Sequence, residues 1–299
     1  MLLLGTTGHL EDLDRQISIA EDVSVCAIAI GTGSGAWGAY VLLDGDRIAR
    51  VDEYELAPIA RVELGKAQSM AAVDGGLLVG LEGARLARVD LLDGQLSTLD
   101  SFDGVPGRAG WKNPAAPSPD LRSMAVTDAG TWLVSVHVGG VWRSMDRGAT
   151  WTEVIVPDDD VHEVVAGHAG VVAAAAARGF GWSSDDGATW QWTAEGLHSG
   201  YCRATAVDGD VAYVTASTGP STRDGRLYRA AHLGDPFEPC GGGLPPSFPF
   251  NLDTGSLAAR GGEVALGTPD GRVWRSADRG DTFEAVTERV GHVRVLRFA

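Results

Sequence analysis

The chain has 299 residues, 44% of them hydrophobic, with 40 acidic against 24 basic side chains and a net charge of −16. That apolar content supports a sizeable core and excludes a disordered chain. The acidic balance argues against a nucleic-acid partner and against an anionic membrane surface, because phosphate binding needs a basic footprint.

Cys26, Cys202 and Cys240 are odd in number and widely spaced. They form neither a disulfide framework nor a CxxC metal signature, so a reducing, cytoplasmic setting is expected. The opening MLLLGTTGHL has no basic region before its short apolar run and does not read as a signal peptide. No stretch approaches the ~18 uninterrupted apolar residues of a membrane span.

In chain order, MLLLGTTGH reads as a strand similar to the later EVALGTPDG, but no strand partner precedes it. VCAIAI, GAYVLL and RIARVD follow, then QSMAAV, LLVGL and ARLARVD. The proline-rich segment GWKNPAAPSPD, residues 110–120, leads to RSMAV, TWLVSVHV, GVWRS and TWTEVIV, broken by DAG, GG and DRGA turns. The same order recurs as VHEVVA, GVVAAAAA, FGWSS and TWQWTA, and then as CRATAV, VAYVTAS, RLYRA and a looser FEPC edge. A second proline-rich segment, GGGLPPSFPFNLD, precedes SLAA, EVALGT, RVWRS and TFEAVT, and HVRVLRF ends the chain. No long segment shows helical periodicity.

Repeats of about 46 residues with four short strands each are the mark of a β-propeller. The expected fold is all-β: one propeller domain over residues 1–299 with about seven four-stranded blades. The seventh is a composite of residues 1–20 and 291–299, in which the C-terminal strand lies innermost and pairs with the N-terminal segment. Such closure removes exposed strand edges.

Three stretches share Ser-x-Asp-x-Gly-x-Thr-aromatic: Ser144, Asp146, Gly148, Thr150, Trp151; Ser183, Asp185, Gly187, Thr189, Trp190; and Ser276, Asp278, Gly280, Thr282, Phe283. This pattern resembles the Asp-box, or BNR repeat, of sialidases, sortilin-type receptors, xyloglucanases and photosystem-assembly propellers. The resemblance implies a propeller and leaves activity open, because that superfamily mixes enzymes with binding proteins. The motif is expected to be structural. Asp accepts turn amides, Gly supplies the turn conformation, and the aromatic ring packs between blades.

Candidate functional residues are therefore sought on the opposite face, around the channel mouth. The alignment places Gln68, Arg122, His162, Tyr201, Arg203, Asp253 and His292 at or before innermost-strand starts. Glu82, His137, Arg178, Ser217 and Thr268 fall near second-strand ends, and His198 lies between blades. Trp111 with Lys112, and Asn251, come from the two proline-rich segments that reach this face. His168 reads as a surface turn residue and Cys202 as core. Charged groups in a narrow channel need partners or a ligand.

Three functions fit this set. The favoured one is recognition of a small, polar, anionic ligand by Arg122, Arg178, His198, Arg203, Ser217, Trp111 and Asn251, with no cofactor implied. The second is a glycan hydrolase resembling sialidases, in which the arginines clamp a carboxylate, Tyr201 is nucleophile and Asp253 acid. The chain lacks the Arg-Ile-Pro motif of sialidases and counts about seven blades against their six. The third is a divalent transition-metal site of His137, His162 and His198 serving a hydrolase or lyase. A protein partner is also compatible with a propeller surface.

Overall fold

Seven four-stranded antiparallel sheets follow one another in the computed structural model, which describes residues 1–31, 38–287 and 290–299. Six sheets are continuous in sequence, and we number them by chain order. Their innermost strands are Val25–Gly31, Ala67–Val73, Leu121–Val126, Val161–Ala166, Tyr201–Asp208 and Leu257–Arg260. The seventh is composite. Val293–Phe298 is its innermost strand and pairs antiparallel with Leu2–Thr6, in the register Leu2 to Phe298 and Leu4 to Leu296; His9–Asp12 and Ile17–Glu21 complete it. This is the expected seven-bladed propeller, closed as the sequence predicts. Among the described residues one α-helix occurs, the four-residue Asp100–Asp103, and no helix is long and apolar enough to cross a membrane.

The second strands explain the continuous apolar runs in the sequence. Gly76–Leu81, Trp132–Val136 and Val172–Ala176 are buried at every position, because neighbouring blades cover both faces. The core is accordingly a set of clusters between adjacent blades. Between the second and third blades, Phe102 packs its ring 4.9 Å from that of Trp151 and 5.6 Å from that of Trp111.

The Ser-x-Asp hairpins join third to fourth strands, and all three carry one hydrogen-bond pattern. Ser144 Oγ donates to Asp146 Oδ1 at 2.9 Å and accepts from the Gly148 amide at 2.8 Å. Asp146 also accepts from the amide and hydroxyl of Thr150, at 2.8 and 2.6 Å. Ser183 with Asp185 and Thr189, and Ser276 with Asp278 and Thr282, repeat these bonds. Gly148 has φ 83°, and a Cβ there would meet the Trp132 ring at 2.9 Å, so glycine is required twice over. The carboxylates are exposed, and the threonine bonds hold Asp146, Asp185 and Asp278 down to about 2. The hydrogen bonds account for these repeated spacings as turn structure.

Candidate functional site

The innermost strands enter the channel through β-bulges. Register shifts fall between Val25 and Ala27, Ala67 and Ser69, Leu121 and Ser123, Val161 and Glu163, and Cys202 and Thr205. Cys26, Gln68, Arg122 and His162 are the extra residues, with Arg203 inside the wider fifth-blade shift. A bulge re-aims the side chain it carries. In these five blades the bulge re-aims one side chain or more, which accounts for the polar residues that interrupt these apolar strands, while the innermost strand of the sixth blade pairs without a shift.

Six of the predicted residues meet there. Asp253 Oδ1 lies 2.6 Å from Arg203 Nη1 and 3.6 Å from Arg122 Nη2. Arg122 Nη1 donates to His137 Nε2 at 3.2 Å, and His137 Nδ1 faces Asp120 at 3.4 Å. Asp160 stands between the imidazoles, 3.9 Å from His137 Nε2 and 3.4 Å from His162 Nε2. Tyr201 covers His162 with ring centroids 4.9 Å apart, and Arg203 lies over the Tyr201 ring. Thr254 ties the group together, accepting from Arg122 Nε and donating to the carbonyl of His162.

His162 is fully buried, and its Nδ1 sits 2.5 Å from the Cys202 carbonyl, so Nδ1 carries the proton. Burial pushes its pKa down despite Asp160, which leaves Nε2 as a lone pair. Burial works to raise Asp160, but contacts with His162, His137 and Arg122 outweigh it and hold Asp160 low. Arg122 is pushed down by burial and by Arg203, partly offset by Asp253. His162 Nε2, Asp160 Oδ1 and Arg203 Nε are buried without a hydrogen-bond partner.

The remaining predicted residues lie apart from this group. Arg178 pairs with Asp159 at 2.9 Å and lies over Trp192. His198 bonds the Tyr228 hydroxyl at 2.8 Å and the Asp224 carbonyl at 3.1 Å, so the three imidazoles of the metal reading do not converge. Among the described residues, no group of three or more His, Cys, Asp or Glu side chains is arranged to hold a metal ion. Ser217 donates to Asn251 at 2.6 Å, and Asn251 donates to the carbonyls of Gly219 and Pro220; this pair braces a loop. Trp111 is buried beside Phe102 and Trp142 rather than folded over the mouth.

Sequence reasoning missed Glu163, Arg294 and Arg297. Glu163, 1% exposed, accepts from the amides of Thr205 and Gly255 at 3.0 Å each, spanning two further blades. Its neighbour-blade counterpart Ser123 makes one such bond, to the Val164 amide. Burial raises Glu163 from 4.5 to about 7, against the pull of Arg297 with Nη2 3.8 Å away. An acidic residue inside an otherwise apolar innermost strand was the available signal.

Behind the mouth, a cavity of about 70 Å³ is lined by Arg122, Arg294, Arg297 and Glu163. A wider hollow of about 380 Å³ occupies the other end of the channel, among the first-to-second-strand turns; most of its lining side chains are apolar, while polar groups, Asp128, His168, Asp208 and Arg260 among them, make up about half of its surface. The chemistry sits with the smaller cavity.

No known family model matches the sequence, and no curated protein matches it. Among solved structures, the chain is similar to the extracellular domain of a putative hybrid two-component system from B. thetaiotaomicron, with TM-score 0.62 and 10% identity. That match covers 90% of this chain and 35% of the other, so the chain spans about a third of that protein. It is also similar to YCF48 bound to D1 peptide, with TM-score 0.57, 15% identity and coverage of 95% and 84%. A Niastella koreensis GH74 enzyme matches with TM-score 0.57 and 15% identity, over 94% of this chain and 46% of the enzyme. Identities this low establish a shared fold, and the chain is a seven-bladed β-propeller.

Proposed function

We propose that this chain is an Asp-box propeller that recognises a small anionic group in the channel, at the end opposite the Asp-boxes. One observation carries the reading: Arg122, Arg294 and Arg297 line a single cavity with Glu163 as its one carboxylate, in a chain of net charge −16. Arg122 is largely buried, Arg297 half-buried and Arg294 exposed. Guanidinium donors converging on one partly enclosed space attract an anion more strongly than isolated surface arginines do. At about 70 Å³ the cavity is close to the volume of two waters, which suits a carboxylate or sulfate and not a whole sugar ring. Asp253, the acid of the hydrolase reading, is ion-paired with Arg203 and Arg122, which favours binding over acid catalysis. Asp-box membership is supported by the identical bonding of the three hairpins.

Calorimetric titration with sodium sulfate and sodium acetate tests the reading. Saturable 1:1 binding, weakened about tenfold or more by Arg122→Met, is the expected result. Absence of saturable binding for both anions overturns it.

A further inference from the structure

The arginine cavity is not a closed pit. Ile28, Met70, Met124, Val164 and Arg297 line both it and the wide hollow, so the two spaces meet at an apolar waist with one guanidinium on it. At the mouth, Asp253 bridges Arg203 and Arg122. The hollow opens among turns whose side chains are exposed, including His168 and Asp128. Its apolar lining comes from the innermost strands, with Ile30, Val126, Val165, Val207, Leu257 and Phe298 and alanines between them, and its polar lining includes Asp208 and Arg260.

We infer that the channel binds an amphiphilic carboxylate that enters from the Asp-box face, with its head on Arg297 and Arg122 and its apolar tail in the hollow. This rests on the anion reading and names the ligand class. Charge complementarity at the inner end fixes the orientation, because the arginines lie beyond the waist and the apolar walls before it. The two spaces together, about 380 and about 70 Å³, reach the size of ordinary small-molecule pockets. Glu163 does not contest the head group from outside, since both its oxygens already accept backbone amides.

The test titrates the wild-type protein with sodium acetate, butyrate, hexanoate and octanoate, and with octanol and octylammonium as controls. Each methylene drawn into the hollow should tighten binding about fourfold, so that octanoate exceeds acetate by well over tenfold. Arg297→Met should weaken octanoate about tenfold or more. Ala71→Phe, which fills the hollow, should weaken octanoate while leaving acetate unchanged. Acetate and octanoate binding equally well sinks this inference and leaves the anion reading standing. Octanol or octylammonium binding as tightly as octanoate also sinks it, because the arginines would then not read the head. If neither sulfate nor any carboxylate binds, both readings fall, whereas sulfate binding without any carboxylate sinks this inference alone.

Discussion

Glu163 probes the channel's electrostatics directly. Burial lifts its carboxyl from 4.5 to about 7, although Arg297, the Thr205 and Gly255 amides and Arg122 all pull it down. The folded protein therefore holds this proton more tightly than the unfolded chain does. With the folded pKa raised, the stability linked to this proton is fully present below 4.5 and is lost as pH rises through about 7. Between roughly pH 5 and roughly pH 8 the loss comes to about 2.5 kcal/mol. Glu163→Gln removes the titration. It also leaves a Thr205 or Gly255 amide facing an NH2 group, an offset of about 1–3 kcal/mol that does not change with pH. Urea unfolding of both proteins across this range separates the two effects. The variant should gain about 2.5 kcal/mol relative to wild type from the acidic to the alkaline end. Stability curves parallel to within ~0.5 kcal/mol would refute the argument, showing that the carboxylate stays ionised against Arg297 throughout. The hairpin aspartates Asp146, Asp185 and Asp278 do not blur this window. Their depressed values, about 2 against 3.8, make their contribution present above 3.8 and lost only as pH falls toward 2.

Two further outcomes follow from the scaffold. Ser144→Ala or Ser183→Ala, at side chains 2% exposed, leaves the Gly148 or Gly187 amide unpaired. Each should cost about 1–3 kcal/mol in chemical denaturation and leave anion titration unchanged; a variant as stable as wild type would show that these hairpins are not held by their serines. Deleting residues 293–299 removes the buried Val293, Val295 and Leu296 and leaves Leu2–Thr6 without its partner. Each lost side chain is worth about 1.5–3 kcal/mol, together comparable to a typical domain's net stability, so cooperative melting should disappear. A melt like that of the full chain would contradict closure through the composite blade.

The fold was legible because propeller blades repeat their chemistry. Apolar second strands, Gly-containing turns and the Ser-x-Asp hairpins recur at fixed spacing, and even the incomplete first unit identified its missing strand. The mouth was legible in part for the same reason. Aligning blades put Arg122, His162 and Arg203 at equivalent places, and those places proved to be bulge positions sharing one exit direction. What the alignment could not supply was depth. Arg178 and His198 instead find partners outside the cluster, in Asp159 and Tyr228. Trp111 likewise belongs to a loop whose apolar ring finds a deeper home between blades than over the channel.

Glu163 and Arg297 escaped for the opposite reason. In the innermost strand the side chain after the bulge crosses toward the next blade, so its partner is a backbone amide or carbonyl on another repeat. Ser69, Ser123 and Glu163 fill that position in successive blades, bonding Leu121, Val164 and Thr205 respectively. A serine reaches one neighbour, whereas the longer carboxylate reaches two, taking the Gly255 amide as well. Replacing the small hydroxyl by a carboxylate at one blade of seven breaks the ring's symmetry and places a buried charge beside Arg297 and Arg122. An acid there weakens the scaffold above neutral pH, where its apolar surroundings penalise the ionised form. Arg297 and Arg122 offset part of that cost, and both also line the cavity. The scaffold's need to balance a buried acid and the channel's capacity for an anion therefore share two guanidiniums, Arg297 and Arg122.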